Sequence, residues 1–494
     1  QGEAWDPGRE VEMLWARVYA RATAGMPLNT TFDRETRAFT FCFLPDPVIQ
    51  GPTEIFVGSK FNYPQGASID CGSESRLTCV PARIPPAGSG NMSAVETVFV
   101  TIASDDLERE EELVPQCIKI TAAKQPISPL KGIATTRATM ALDGLMAGFW
   151  SDTDQYLYAN VKTKISGPLA GTKLLPFWNY AEAFHAIALG VSKIKLHRYS
   201  FVLQIMIDGQ VAQGGKQDGT GADGWSRNFV DDENWAVLAL VAAFDATHNV
   251  SHLETALSIF RNKIQPAWDT KLCGGGVFWD TRHSQKATAS NAGPAMAAAM
   301  LAARMPSSHS RPKQELLTWA EETYSFWNAT MTNATSGHVT DHWLIVDGLN
   351  GTECVPVSWS FTYNEGLMLG AATVLGHARD AARFARRIID AETRDGGVLF
   401  DTCEGNCACC DCQSFKGVAI RELSRWLRSP LAAPSELVAD VRRAINASAN
   451  AVWDLARVDG GKGVGPLFKA SWSEPDPQLN RTPCLLNAAA QTSA

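Results

Sequence analysis

The chain has 494 residues, 45% hydrophobic and 19% charged, with a net charge of −8. This is a foldable globular composition, long enough for two or three domains. It holds no apolar run of the ~18 residues that a membrane span needs. It also lacks a basic cluster, which argues against nucleic acid or an anionic membrane surface as the main partner.

Residues 1–121 read as strands. In Ala38–Leu44, Phe39, Phe41 and Phe43 alternate onto one face, and Val98, Val100 and Ile102 do the same further on. Pro and Gly punctuate the gaps, and short strands at this spacing predict a β-sandwich. Cys42, Cys71, Cys79 and Cys117 fall here and are expected to form inter-strand disulfides. A linker is expected at 122–130, with two prolines.

From 131 to 494 the period becomes helical. Leu253, Ala256, Leu257, Phe260 and Ile264 form one stripe. Leu316, Ala320, Tyr324 and Trp327 form a second, and Leu437, Val441, Ala444, Ile445, Ser448 and Val452 a third. Ten to twelve helical segments are expected. Several, such as Trp235–Asp245, are apolar nearly all round and must be covered on both sides. The fold class is therefore mostly α: a toroid with an inner ring of helices wrapped by an outer ring, preceded by a small β-sandwich.

The compartment is read from sequons and cysteines. Eight of the 19 asparagines sit in Asn-x-Ser/Thr: Asn29, Asn91, Asn249, Asn328, Asn333, Asn350, Asn446 and Asn480. This excess predicts a secreted glycoprotein. The sequence starts at Gln1 with no apolar leader, so any signal peptide would lie outside it, and no hydrophobic anchor tail is seen in 485–494. In an oxidising compartment the five cysteines of 403–412 read as disulfides rather than a zinc knot. Adjacent Cys409 and Cys410 cannot easily join one another, so one is expected to reach a distant partner such as Cys354 or Cys484. His248 and His252, in a turn, and the Gly-rich run 214–224 with Asp218 and Asp223, lack the context of a metal or phosphate site. No cofactor or metal is expected.

The segment Asn228-Phe-Val-Asp-Asp-Glu-Asn-Trp-Ala236 carries the chemistry. Asp231 and Asp232 stand at a helix start, where acids complement the dipole or cap the first turn. The same pair suits glycoside hydrolysis. One carboxylate attacks the anomeric carbon while the other donates and then accepts a proton. The acid must lie in drier or more acidic surroundings, to which Glu233 could contribute. Trp178, Asn179, Trp225, Asn228, Trp235, Phe278, Trp279 and Tyr363 are the nearby residue types that stack on, or bond to, sugars.

At these residues the helical part resembles glycoside hydrolase family 76, the endo-α-1,6-mannanases and related fungal wall proteins. The likeness runs through Leu175-Pro-Phe-Trp-Asn-Tyr-Ala-Glu182, Phe229–Trp235, Cys273–Asp280, Gln285–Asn291, Phe361–Gly366 and Phe415-Lys-Gly417. It implies an (α/α)6 barrel with a cleft at one end, Asp231 as nucleophile and Asp232 as acid/base of a retaining mechanism. It also implies cleft or loop-organising roles for Lys286, Asn291, Tyr363 and Asn364. Two features depart from the family pattern: Glu365, where an amide or small residue is usual, and the cysteine density of 403–412. The N-terminal part is similar to the β-sandwich that follows the barrel in fungal family 5 glycosidases, through Arg17–Gly25, Thr53–Val57 and Tyr63–Gly66. The chain begins as if cut downstream of such a barrel, so no catalytic role is expected in 1–121.

The resulting expectation is a secreted, monomeric hydrolase of α-1,6-mannan or another mannose-containing glycan. Two alternatives use the same residues. One is a transglycosidase acting on the mannose core of lipid-anchor glycans in wall assembly. The other is a non-catalytic carbohydrate-binding wall protein.

Overall fold

The computed structural model describes residues 18–33, 36–46, 48–49, 51–57, 63, 67–71, 77–83, 95–102, 114–122, 129–159, 173–213, 224–348, 351–404, 411–459, 465–472 and 488–493. Cys407, Cys409, Cys410, Cys484, the Gly-rich run with Asp218 and Asp223, and the sequons at Asn91, Asn350 and Asn480 lie outside them. The chain divides into two compact units, residues 1–139 with 189–202, and 140–188 with 203–494.

The first unit is built on eight strands: β1 (Tyr19–Ala22), β2 (Gly25–Phe32), β3 (Phe39–Pro45), β4 (Thr53–Phe56), β5 (Ala67–Asp70), β6 (Leu77–Arg83), β7 (Val95–Ile102) and β8 (Gln116–Ala122). They form two antiparallel sheets, ordered β1-β4-β7-β6 and β2-β3-β8-β5. Phe39, Phe41 and Phe43 face inward with Ile118 and Ile120. Ile55, Val98 and Val100 from the other sheet complete the core. The alternation thus buries one face of each sheet against the other, as a sandwich requires. Cys42 and Cys117 are direct cross-strand partners on β3 and β8 and are joined. Cys71, just after β5, is joined to Cys79 on β6 and so ties the two sheets together.

Twelve α-helices occur among the described residues beyond the strands. They are α1 (Pro129–Phe149), α2 (Phe177–Ile194), α3 (Ser200–Gln213), α4 (Val230–Thr247), α5 (Val250–Ile259), α6 (Thr288–Arg304), α7 (Ser310–Met331), α8 (Thr362–Leu375), α9 (Ala378–Ala391), α10 (Phe415–Arg428), α11 (Ser435–Ala451) and α12 (Ala488–Ser493). α1 starts at Pro129, inside the stretch expected as a linker.

The helices alternate in burial. α4, α6 and α8 are buried on every side, while α7, α9 and α11 bury a single stripe. The stripes are the predicted ones: Leu316, Ala320, Tyr324 and Trp327 on α7, and Leu437, Val441, Ala444 and Ser448 on α11. The even-numbered helices form the inner ring of an (α/α)6 barrel. Their neighbours approach at small residues. A Cβ on Gly293 of α6 would lie 2.4 Å from Asn234 on α4, and one on Gly370 of α8 would lie 2.5 Å from Met296 on α6. Gly366 of α8 lies against Ala419 of α10. A Cβ at Gly366 would press on the α10 backbone, and at Gly293 and Gly370 it would displace the buried Asn234 and Met296 side chains.

The inner ring also carries paired charges. Arg421 on α10 donates to Glu182 on α2 at 2.5 Å and to its neighbour Glu422 at 3.0 Å. The ring closes where Gln491 of α12 donates to Ala141 O of α1 at 2.8 Å and accepts from Phe468 N at 3.0 Å.

Two further disulfides brace the loops. Cys403 is joined to Cys412, within the cysteine-dense segment. Cys354 is joined to Cys273. This corrects the expected link from Cys354 to Cys409 or Cys410: the loop before α6 already occupies that partner.

Candidate active site

Because inner and outer helices alternate in direction, all inner helices start at one end of the ring. That end collects Trp178 from α2, Asp231 and Asp232 from α4, Tyr363 and Asn364 from α8, and Phe415 from α10. Helix N-termini there favour negative charge.

Asp231 and Asp232 are the second and third residues of α4. The N-cap is Phe229, with extended φ/ψ and no side-chain capping bond, so neither aspartate is spent on the cap. The approach to the helix is held by short strand-like pairing. Val230 N donates to Trp279 O at 2.8 Å, and Thr281 N donates to Asn228 O at 2.9 Å. The Phe229 and Trp279 rings pack with centroids 4.5 Å apart.

Both aspartates keep part of their surface open, yet their carboxyls have lost most of their hydration. For Asp231, burial raises the pKa to about 7, opposed by the Trp279 side-chain and Asp232 backbone donors and helped upward by Asp411. For Asp232, burial and then the Asp231 charge raise it well above the carboxylate range. The Arg227 guanidinium opposes this, and Asp411 and Glu233 add to it. Burial and their mutual repulsion thus raise the pair together, so the two do not both ionise in the ordinary carboxylate range. Glu233 is buried, and its Oε1 accepts from Arg227 N at 3.0 Å, which fastens the preceding turn to the helix.

Aromatic rings line this end. Trp178 packs on Trp235 at 5.9 Å and on Phe415 at 6.2 Å. Phe415 lies 4.4 Å from Tyr363 and 5.2 Å from Phe361, and Phe361 lies 6.1 Å from Trp359. Trp235, Trp225 and Phe278 are themselves buried.

The remaining predicted residues are tied into the framework. Asn179 donates to Ser414 Oγ at 3.1 Å and is buried. Lys286 Nζ donates to Asp269 Oδ2, Leu272 O and Gly275 O, each at 2.7 Å. Asn291 accepts from Val277 N at 2.7 Å and donates to Val277 O at 3.1 Å. Both side chains organise the 269–277 loop, whose continuation carries Trp279. Tyr363 OH and Asn364 Nδ2 both donate to Asp341 Oδ1, at 2.6 and 3.0 Å. Glu365 is fully buried and accepts from Val339 N at 3.0 Å.

Two acids at this end were not anticipated from sequence. Asp341 gathers Tyr363, Asn364 and His342, whose Nδ1 lies 2.6 Å from Asp341 Oδ2. Asp411 accepts from Trp178 Nε1 at 2.8 Å. Nothing local marks Asp341. Asp411 had one signal, its place inside a cysteine-dense loop leading into the Phe415 helix.

The model of glycosyl hydrolase family 76 matches residues 134–491. The chain belongs to that family. The family 5 C-terminal domain matches residues 17–86. Among solved structures, family 76 α-1,6-mannanase from Salegentibacter sp. HEL1_6 is 20% identical. It aligns over 73% of this chain and 96% of its own, with a TM-score of 0.60. A variant of that enzyme, inactive through replacement of two adjacent aspartates, was solved with α-1,6-mannotetrose (19% identity, 73% and 96% coverage, TM-score 0.59). A family 76 mannosidase from Bacteroides thetaiotaomicron is 16% identical over 73% of this chain and 96% of its own, with a TM-score of 0.54. No curated protein matches the chain. Family 76 membership makes the chain a glycosidase by lineage, and the solved relatives share its barrel.

Proposed function

We propose that this family 76 member is a retaining glycosidase that hydrolyses α-1,6-mannosidic bonds. The observation that carries the reading is the adjacent pair Asp231–Asp232 at the aromatic-lined end of the ring, both carboxyls raised in proton affinity by burial. The inactivated Salegentibacter mannanase, which lost two adjacent aspartates and was solved with α-1,6-mannotetrose, supports the same pairing.

Asp231, whose carboxylate the Trp279 donor stabilises, attacks the anomeric carbon. Asp232, favoured in its neutral form by burial and the Asp231 charge, passes its proton to the departing glycosidic oxygen as the bond breaks. The mannosyl–Asp231 ester is then opened by water, whose proton returns to Asp232. The Trp279 donor steadies the Asp231 carboxylate, and Arg227 limits how far Asp232 is driven to the neutral form. Tyr363 and Trp178, whose polar edges are held by Asp341 and Asp411, present ring faces to the sugar. Four disulfides among the described residues suit an oxidising, extracellular setting. No described helix is long and apolar enough to cross a membrane.

The test is reducing-sugar release from linear α-1,6-mannan by the parent chain and by Asp231→Asn and Asp232→Asn. Release by the parent and loss in both variants is expected, with an NMR-detected first product of retained anomeric configuration. A parent chain that binds mannan without releasing sugar would overturn the hydrolase reading.

A further inference from the structure

Strands β10 (His342–Gly348) and β11 (Gly351–Val357) form an antiparallel hairpin between α7 and α8, and β9 (Gln285–Ala287) pairs along β10. Its inner face is well used. Trp343 packs on Phe326 and Trp327, with centroids 6.2 and 5.6 Å apart, and Cys354 is bonded to Cys273. A hairpin with one packed face should turn polar side chains to water on the other. This one does not. Leu344 and Val355 are direct cross-strand partners on the outer face, Val346 follows Leu344 on the same side, and all three are exposed.

The outer face ends at Trp359, which is 59% exposed. Trp359 meets His342 at 73° and Phe361 at 66°, so neither ring stacks over it. From Trp359 the rings run without a break through Phe361 and Phe415 to Trp178, beside the aspartates. An exposed apolar strip of this kind marks a binding surface. Its continuity with the aromatic lining of the site decides what binds. A membrane is disfavoured by the exposed acids Asp347 and Glu353 near the hairpin tip.

We propose that Trp359 and the outer face of the β10–β11 hairpin form a distal glycan subsite. It would stack the apolar C–H faces of sugar residues several units away from the bond being cleaved. The apolar part runs from Val346 through the Leu344–Val355 pair to Trp359. It is held rigidly by the Cys273–Cys354 bond to the loop that Lys286 fixes, so a long glycan would meet a preformed surface. The inference rests on the mannan-hydrolase reading for the identity of the sugar.

The experiment is calorimetric titration of Asp231→Asn with α-1,6-mannotriose and α-1,6-mannooctaose, alone and combined with Trp359→Ala or with Leu344→Ser/Val355→Thr. The longer glycan should bind more tightly to Asp231→Asn. The added surface substitutions should remove about tenfold of that gain while leaving mannotriose affinity unchanged. Equal loss for both lengths, or no loss for either, overturns the subsite alone. The same holds if Asp231→Asn binds both lengths with equal affinity. Failure of Asp231→Asn to bind either glycan overturns both the mannan reading and the subsite built on it.

Discussion

Trp178 holds Asp411 by an indole hydrogen bond of 2.8 Å, and the same ring packs on Trp235, one turn along α4 from Asp231. A third carboxylate is thereby fixed beside the pair, and its charge raises the proton affinity of both Asp231 and Asp232. Replacing Asp411 by Asn removes that charge, so both carboxyls should release protons at lower pH. The expected result is a kcat/KM profile with both limbs moved toward acid. Profiles of Asp411→Asn and parent on the same mannan check this, and an unmoved or alkaline-shifted profile contradicts it.

The proposed division of labour makes a second prediction. Asp232→Asn should slow mannan turnover by roughly 10²–10⁴-fold, the usual worth of a general acid. It should keep much of the first step on an aryl mannoside whose leaving group needs no proton. Asp231→Asn should lose both substrates. Burst kinetics on the aryl mannoside separate the cases, and equal loss by both variants on it would reverse or remove the assignment.

Lys286 is fully buried and satisfies Asp269 and two backbone carbonyls of one loop. Burial lowers its pKa, and the Asp269 carboxylate pulls it back up. Lys286→Met leaves those oxygens without their donor. A loss of about 3 kcal/mol is expected from urea unfolding, with weakened mannan turnover because the loop's continuation carries Trp279. Unchanged stability would show that the loop is held by other means.

Glu365 and Glu392 form a buried carboxyl pair between α8 and the end of α9. Burial raises Glu365 to about 6, and burial with the Glu365 charge raises Glu392 well above its ordinary range. The folded state therefore binds more protons than the unfolded chain above pH ~4.5. Stability from this pair is fully present below that pH and is lost as pH rises through 6 and beyond. Glu365→Gln keeps a hydrogen-bonding group without the charge, so it should flatten the fall in Tm between pH 5 and 8. Thermal unfolding of both chains across that range checks this, and parallel curves would remove the pair as the cause.

Much of this was readable from residue order. The inward triplet Phe39, Phe41 and Phe43 and the stripes of α7 and α11 are periodic, and periodicity survives folding because one buried face selects it. The acids at the start of α4 were legible as a pair because they are adjacent. Asp341 and Asp411 were not. Each reaches the site from a connection rather than a helix. Asp341 joins Tyr363 from 22 residues away and Asp411 joins Trp178 from 233, and no local pattern records such a meeting. Glu365 differs in another way. It stood out only as a departure from the family pattern, and the structure draws it into the framework through Val339 N–H.

The seam of the ring lies between α1 and α12, where Gln491 and Ala141 bond across 350 residues of chain. Five consecutive helix pairs and α11 can form as the polypeptide emerges, but the circle stays open until α12 arrives. Closing so long a loop is slow, and α1 must wait with its Gly144 groove empty of Pro466 and Gln491. The nascent protein would thus carry a gap in its wall until synthesis of that stretch is complete, and a bulky insertion near residues 488–493 would leave it permanently ajar.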